Sequence, residues 1–281
     1  MTDSLIDRIQ TLVRDHYVFA DRGESIAAAL NGITLPADEP ALATAVTEAL
    51  LAASADKHLR VRHYPDGVPT DQDEAAARAH WAAEMRRTSG GVAEVLRLDA
   101  ATGLLALGPV IGPREPAAPY LAAAFALLAD VERLVIDLRA CVGGVPETVA
   151  YIVSHLTGPE PVHLQDVVRR DGTADSYWTT SDVDALPPTV EVAVLTSSAT
   201  FSGGEELAYD LQALGRATVV GEVTGGGAHP REAFDLSPTL QVHVPVARSV
   251  NAVTGTNWEG KGVLPDHPCP ADQALEVALA G

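Results

Sequence analysis

The chain reads as an α/β protein fronted by a helical bundle, and three observations carry that reading. Two strand-loop-helix units stand in mid-chain, at Leu134-Val135-Ile136-Asp137-Leu138 with Gly143-Gly144 behind it, and at residues 190–195 with Ser202-Gly203-Gly204 behind them. Further short β-rich runs at 217–220 and 240–244 interleave with these helices. The first 57 residues, by contrast, show helical spacing alone.

Leu5, Ile6, Ile9, Leu12 and Val13 make an apolar stripe at helical spacing, so the chain opens on a helix. Helices over about 25–30 and 41–53 follow, separated by Gly32 and by Pro36 and Pro40. Residues 59–64 alternate apolar and polar as a strand does, and Pro65-Asp66-Gly67 ends it with turn chemistry. Residues 71–87, rich in Ala, Glu and Arg, predict an exposed helix; short strands over 93–98 and 103–107 and an apolar helix over about 119–129 come next. In the first strand-loop-helix unit Pro146 and Glu147 open the helix. In the second, Val190-Glu191-Val192-Ala193-Val194-Leu195 is nearly all apolar, as a strand covered on both faces requires, and Leu207, Leu211 and Leu214 recur at helical spacing before Gly215. The expected division is a helical bundle over 1–57 and an α/β core over 58–281.

With 281 residues and 47% hydrophobic composition the chain can bury a large core. No uninterrupted apolar run approaches the ~20 residues that cross a bilayer. Met1-Thr2-Asp3-Ser4 lacks the basic start and apolar core of a signal peptide, so the expectation is a soluble, cytoplasmic protein with no membrane partner. Cys141 and Cys269 are the only cysteines, which argues against a disulfide framework or a thiolate metal site. A formal net charge of −19 and the lack of a dense Lys/Arg cluster argue against nucleic acid; cationic peptides would be attracted at long range. Oligomeric state is not legible.

Ser202 lies where a buried strand becomes a helix, and free N–H groups with the positive end of the helix dipole favour negative charge there. That suits a nucleophile, and it equally suits a helix N-cap. A serine nucleophile needs a base, a group to orient the base, and donors for the oxyanion. His58, after Asp56-Lys57, and His229, after Gly225-Gly226-Gly227-Ala228, stand out among nine histidines. Glu259, in Asn257-Trp258-Glu259-Gly260-Lys261-Gly262, is a candidate orienting carboxylate or a solvated turn residue. Gly203 and the Gly143-Gly144 loop could bring backbone N–H groups close to an oxyanion, or simply make tight turns. Neither glycine loop fits a dinucleotide or Walker pattern, and no histidine and carboxylate set has metal-ligand spacing, so no cofactor or metal is expected.

The segments Asp56-Lys57-His58-Leu59-Arg60-Val61, Ile136-Asp137-Leu138-Arg139 with Gly143-Gly144, Thr196 to Glu206, Val220 to His229 and Thr254 to Val263 stand in one order. In that order the chain resembles the S41 peptidases, within the branch that includes the tricorn core and the repeats of interphotoreceptor retinoid-binding protein. The resemblance implies a crotonase-like ββα spiral core behind the helical bundle. It further implies Ser202 as nucleophile, His58 as general base, Glu259 as the supporting acid, and oxyanion donors at Gly203, Gly143 and Gly144. His229, Gly227, Cys141 and Trp258 become candidates for substrate contact. The C-terminal processing branch uses a lysine base where this chain has Thr224-Gly225-Gly226-Gly227-Ala228, so a Ser/Lys mechanism is excluded; room for a PDZ module between Tyr64 and Leu134 is also small. Cys141 replaces a usual asparagine and cannot reproduce its bonds, and Lys57 would depress the affinity of His58 for a proton unless it points to solvent. The function implied is a serine hydrolase of peptide or related acyl bonds. The alternative is a non-proteolytic protein of the same fold, either a binder of a small hydrophobic ligand or an enzyme of acyl or carbonyl chemistry in small-molecule biosynthesis.

Overall fold

A computed structural model describes residues 2–69 and 74–280. The N-terminal part holds α1 (Thr2–His16), α2 (Ala20–Ala28), α3 (Glu39–Ser54) and β1 (Arg60–His63). Next come α4 (Glu74–Arg87), β2 (Val92–Arg97), β3 (Thr102–Leu107), β4 (Val110–Ile111), α5 (Arg114–Leu127), β5 (Arg133–Asp137), β6 (Gly143–Gly144) and α6 (Pro146–Ser154). The chain continues through β7 (His163–Arg169), β8 (Ala174–Trp178), β9 (Glu191–Thr196), α7 (Gly203–Ala213) and β10 (Thr218–Gly221). It ends with β11 (Arg231–Asp235), β12 (Leu240–Pro245), β13 (Ala247–Asn251), β14 (His267–Pro268) and α8 (Ala274–Ala280). Of the helix expected over 71–87, residues 71–73 lie outside the described residues. No helix among the described residues is long and apolar enough to cross a membrane.

The chain forms two compact units. The first takes Met1–Thr70, Val167–Asp175 and His229–Val250. In it α1, α2 and α3 cover one face of an antiparallel sheet in the order β1-β12-β11. Val61, Leu240, Val242 and Val244 from the sheet, with Leu236 from the turn after β11, share a core with Ile9, Val13, Ile26, Val46 and Leu50 from the helices. The bundle thus folds onto strands that all lie beyond residue 57, two of them far along the chain, because its apolar stripe needs a sheet face to bury. α2 begins earlier than its apolar residues indicate; Gly23 lies inside it, where a Cβ would come within 3.0 Å of Val13 O in α1, so glycine permits the close packing.

The second unit takes Asp71–Asp166, Ser176–Ala228 and Asn251–Gly281. Its six-stranded sheet runs β14-β10-β9-β5-β3-β2, parallel except for β2. Leu134, Val135, Ile136, Val194 and Leu195 are wholly buried, as central parallel strands demand. Residues of α5, α6 and α7, including Leu121, Ile152, Leu207 and Leu211, pack with Leu134, Ile136 and Val194. Val135, Leu195 and Val220 face the other way and share a cluster with Ala274 of α8. This is the α/β architecture the sequence predicts. The C-terminal ends of β5, β9 and β10 release three loops toward the same edge of the sheet, the edge where open α/β sheets bind ligands.

Candidate active site

Ser202, Gly203, Gly143, Gly144, Cys141, Gly227, Trp258 and Glu259 belong to the second unit, whereas His58 and His229 belong to the first. Ser202 is the N-cap residue of α7, with φ 50° and ψ −120°. A non-glycine residue in that region is strained, and such strain persists where the surroundings hold it. Here they do. The Phe201 N–H donates to Cys141 O at 3.0 Å, the Gly204 N–H to Phe201 O at 3.0 Å, and Thr200 Oγ1 to Leu138 O at 2.9 Å. Ser197 Oγ donates to Arg139 O at 2.6 Å, so the turn after β9 is tied to the loop after β5.

Glycine is needed at the next position. A Cβ on Gly203 would lie 2.5 Å from Gly144 Cα and would also strike its N and carbonyl C, and one on Gly143 would lie 3.8 Å from Ser202 Cβ. The start of α7 therefore rests directly on the Gly143-Gly144 strand, which pairs in parallel with Val110-Ile111. The backbone of Gly203 at a helix N-terminus and that of Gly144 are neighbours beside the serine, which is what two oxyanion donors require. Cys141 is wholly buried; its thiol donates to Gly143 O at 3.5 Å and its Sγ would lie 3.0 Å from a Cβ on Gly204. Burial pushes this thiol up to about 11, so it packs as a neutral side chain beneath the turn.

Glu205 organises the rest of the turn. It is fully buried, and its carboxylate accepts from Ser202 N at 2.8 Å, Thr224 Oγ1 at 2.5 Å, Gly226 N at 2.6 Å and Gly227 N at 2.8 Å. Burial raises its pKa while these four donors oppose the rise. One side chain thus joins the serine turn to the glycine loop after β10. Trp258 Nε1 donates to Gly227 O at 2.8 Å, and Glu259 Oε2 accepts from Ala228 N at 2.5 Å, so the loop carrying Trp258 and Glu259 clasps the same glycines from the other side. Trp258 is buried against Tyr209.

In the first unit His58 and His229 are both buried, and both adjoin Asp56. Asp56 Oδ1 accepts the His58 backbone N–H at 2.9 Å, whereas Asp56 Oδ2 meets the His229 ring at Nδ1, 2.7 Å away, and accepts from Tyr17 OH at 3.1 Å. Phe19 stands edge-on to the His229 ring with centroids 5.5 Å apart. The His58 pKa is lowered to about 4, first by burial, then by the charges of Arg231, Arg60 and His229, with Asp56 opposing them. Lys57 is exposed, so the arginines are the cations that act on His58.

Glu205 and Asp56 carry much of this geometry, and neither received a role from the sequence. The Ser-x-x-Glu spacing at 202–205 is a capping-box signature and could have singled out Glu205. No local signal could have joined Asp56 to His229, 173 positions away.

A strained serine at a helix start, resting on a glycine pair at the ligand-binding edge of an α/β sheet, fits a nucleophile site of a hydrolase. The model of peptidase family S41 matches residues 110–269, and that of the N-terminal domain of Peptidase_S41 in eukaryotic IRBP matches residues 1–96. The chain belongs to peptidase family S41. Chloroplastic carboxyl-terminal-processing peptidase 2 of Arabidopsis thaliana is 34% identical over 142 residues, which are 50% of this chain and 27% of that relative. Among solved structures, a candidate peptidase from Parabacteroides merdae aligns with a TM-score of 0.68 at 16% identity, over 98% of this chain and 95% of its own. A lipoprotein from Streptococcus agalactiae aligns at 0.62 and 14% identity over 99% and 94% of the two chains. The tricorn protease aligns at 0.59 and 14% identity, over 98% of this chain and 35% of that one. These structural likenesses show a shared fold.

Proposed function

We propose that this protein is a serine peptidase that cleaves peptide or related acyl bonds through a covalent acyl-enzyme on Ser202. The observation that carries the reading is the strained Ser202 turn at the start of α7, with Gly203 packed on Gly144. In the proposed reaction His58 takes the Ser202 Oγ proton as Oγ bonds to the substrate carbonyl carbon. The oxyanion is held by the N–H groups of Gly203 and Gly144, each worth about 10²–10³ in turnover. The protonated histidine then gives its proton to the leaving amine as the C–N bond breaks. Water, deprotonated by the same histidine, attacks the acyl ester and releases Ser202. Glu259 is the proposed acidic support of the base. Thr224-Gly225-Gly226-Gly227-Ala228 holds no lysine, so the base in this reading is a histidine.

A second assignment of the base is favoured by one observation. The carboxylate of Asp56 meets the His229 ring at Nδ1, the contact that fixes tautomer and orientation in Ser-His-Asp sites. His58, held down to about 4, is neutral near pH 7 but a weak acceptor. Digestion of a peptide library, read by mass spectrometry for wild type, Ser202→Ala, His58→Ala and His229→Ala, separates the assignments. Ser202→Ala should abolish cleavage, and replacement of the true base should cost at least ~10³-fold in kcat/KM, the other histidine costing far less. A folded wild-type protein that cleaves no peptide would refute the peptidase reading.

A further inference from the structure

The polar face of the β1-β12-β11 sheet gathers positive charge that no carboxylate among the described residues neutralises. Arg60 stands opposite His243 and Arg62 opposite Gln241, while on the other side of β12 Ala233 stands opposite His243 and Arg231 opposite Pro245. Directly opposed residues share a face, as do residues two apart on one strand. Arg60, Arg62, His243 and Arg231 therefore rise from one side, and Val61, Val242 and Val244 enter the core of the unit from the other. Arg62 and Arg231 are exposed, Arg60 is half-buried, and His243 is 2% exposed. None of the three guanidinium groups has an ion-pair partner among the described residues, and Arg60 Nε and His243 Nδ1 are buried without a hydrogen bond. Asp235 shares the face but accepts from Gln241 Nε2 at 2.9 Å.

This arrangement costs stability. Like charges gathered on one sheet face repel, and buried polar atoms without partners lose solvation. Although Arg231 as a whole residue is exposed, its guanidinium is held down to about 10 by the burial of that group and by the charges of Arg60 and Arg62. The chain has 38 acidic residues against 19 basic ones, so a neutralising carboxylate would have been easy to place. Local arrangements that oppose stability mark places where function sets the residue. The guanidinium fork matches a carboxylate with two parallel hydrogen bonds. We propose that this face, through Arg60, Arg62 and Arg231 around His243, receives the carboxylate of an acidic peptide. The charges of Arg60 and Arg231 also reach His58, so the bound carboxylate belongs beside that histidine. The assignment of a peptide as the carrier rests on the peptidase reading. Long-range attraction of cationic peptides by the net charge is then overruled locally by the arginines.

The test uses calorimetric titration of the full-length Ser202→Ala protein with three short alanine-based peptides. One is blocked at both ends and carries glutamates, the second is its glutamine counterpart, and the third is the glutamine peptide with a free C-terminal carboxylate. A carboxylate-bearing peptide is expected to bind at least ~10-fold more tightly than the blocked glutamine peptide, as charge-assisted hydrogen bonds provide. A preference for the glutamate peptide assigns a side-chain carboxylate, and a preference for the third assigns a chain terminus. In the Arg60→Gln and Arg231→Gln backgrounds the preference should vanish, with Arg231→Lys between, while thermal melting shows each variant folded and no less stable than its parent. Equal binding of all three peptides, or a preference that survives both glutamine substitutions, would overturn the proposal. Fluorophosphonate labelling of Ser202 in the unsubstituted protein keeps the two ideas apart. Failed labelling with the carboxylate preference intact removes the peptidase reading alone, and intact labelling without the preference removes this inference alone.

Discussion

Glu205 and the arginine face hold charge in opposite ways. Glu205 is fully buried in the second unit and receives four donors, two of them from the glycine loop and one from the backbone of Ser202. Arg60, Arg62 and Arg231 in the first unit stand together on one sheet face, and none of them forms an ion pair with a carboxylate among the described residues. A charge with all its partners shapes backbone and is silent toward ligands. A charge without partners leaves its bonding capacity for something that arrives. The buried pair on α7, Glu206 and Asp210, makes a third case: burial raises both carboxyls, Asp210 to about 7, and repulsion from Asp210 raises Glu206 further, so burial favours their protonated forms.

The largest effect is expected at Ser202. Ser202→Ala should lower kcat/KM for a cleaved peptide by on the order of 10⁴-fold or more while costing only about 1 kcal/mol in stability, because the hydroxyl is the proposed nucleophile and otherwise caps the first turn of α7. Glu205→Ala should do the reverse, destabilising the fold by roughly 3–5 kcal/mol in urea denaturation, since four donors lose their acceptor at once. If Glu205→Ala proved neutral, the carboxylate would not be what joins the serine turn to the glycine loop.

The next effect is on pH. Folding lowers the pKa of His58 to about 4 and that of His243 to about 3, in both cases by burial first and then by Arg231 and Arg60. The unfolded chain therefore binds these protons more readily, so stability is complete above about pH 6.5 and falls as pH drops toward 4, by roughly 3 kcal/mol for His58. Asp210 runs the other way. Its folded pKa lies above the unfolded value, so its contribution erodes as pH rises from about 4 to about 7. Asp210→Asn should flatten that erosion and add roughly 1–2 kcal/mol at pH 8. Denaturation midpoints across pH 4–8 for wild type, His58→Gln and Asp210→Asn check both slopes; because the two groups oppose each other in this window, a His58→Gln curve whose acid-side slope equals that of wild type would contradict a neutral, buried His58.

Much of the fold was legible because helical spacing, glycine turns and buried β-branched runs are local signals. The Leu134–Asp137 and residue 191–195 strands, the helices behind them and the place of Ser202 all came from such signals. β11 did not, since Arg231–Asp235 has no apolar alternation and exists by pairing with β12. The same distance effect hid the sheet under the helical bundle and the pairing of Asp56 with His229. It also hid the arginine face, whose residues come from positions 60, 62 and 231 and form no run in sequence. Glu205 was readable as a cap partner, but its tie to Thr224, Gly226 and Gly227 needed the fold.

Ser202 is the proposed nucleophile, and its reactivity can be measured directly. Intact-mass measurement after treatment with a fluorophosphonate, followed by peptide mapping, should find one adduct per chain, located on Ser202 and absent from Ser202→Ala. A folded wild-type protein that gains no mass, or an adduct that persists in Ser202→Ala, would contradict the account.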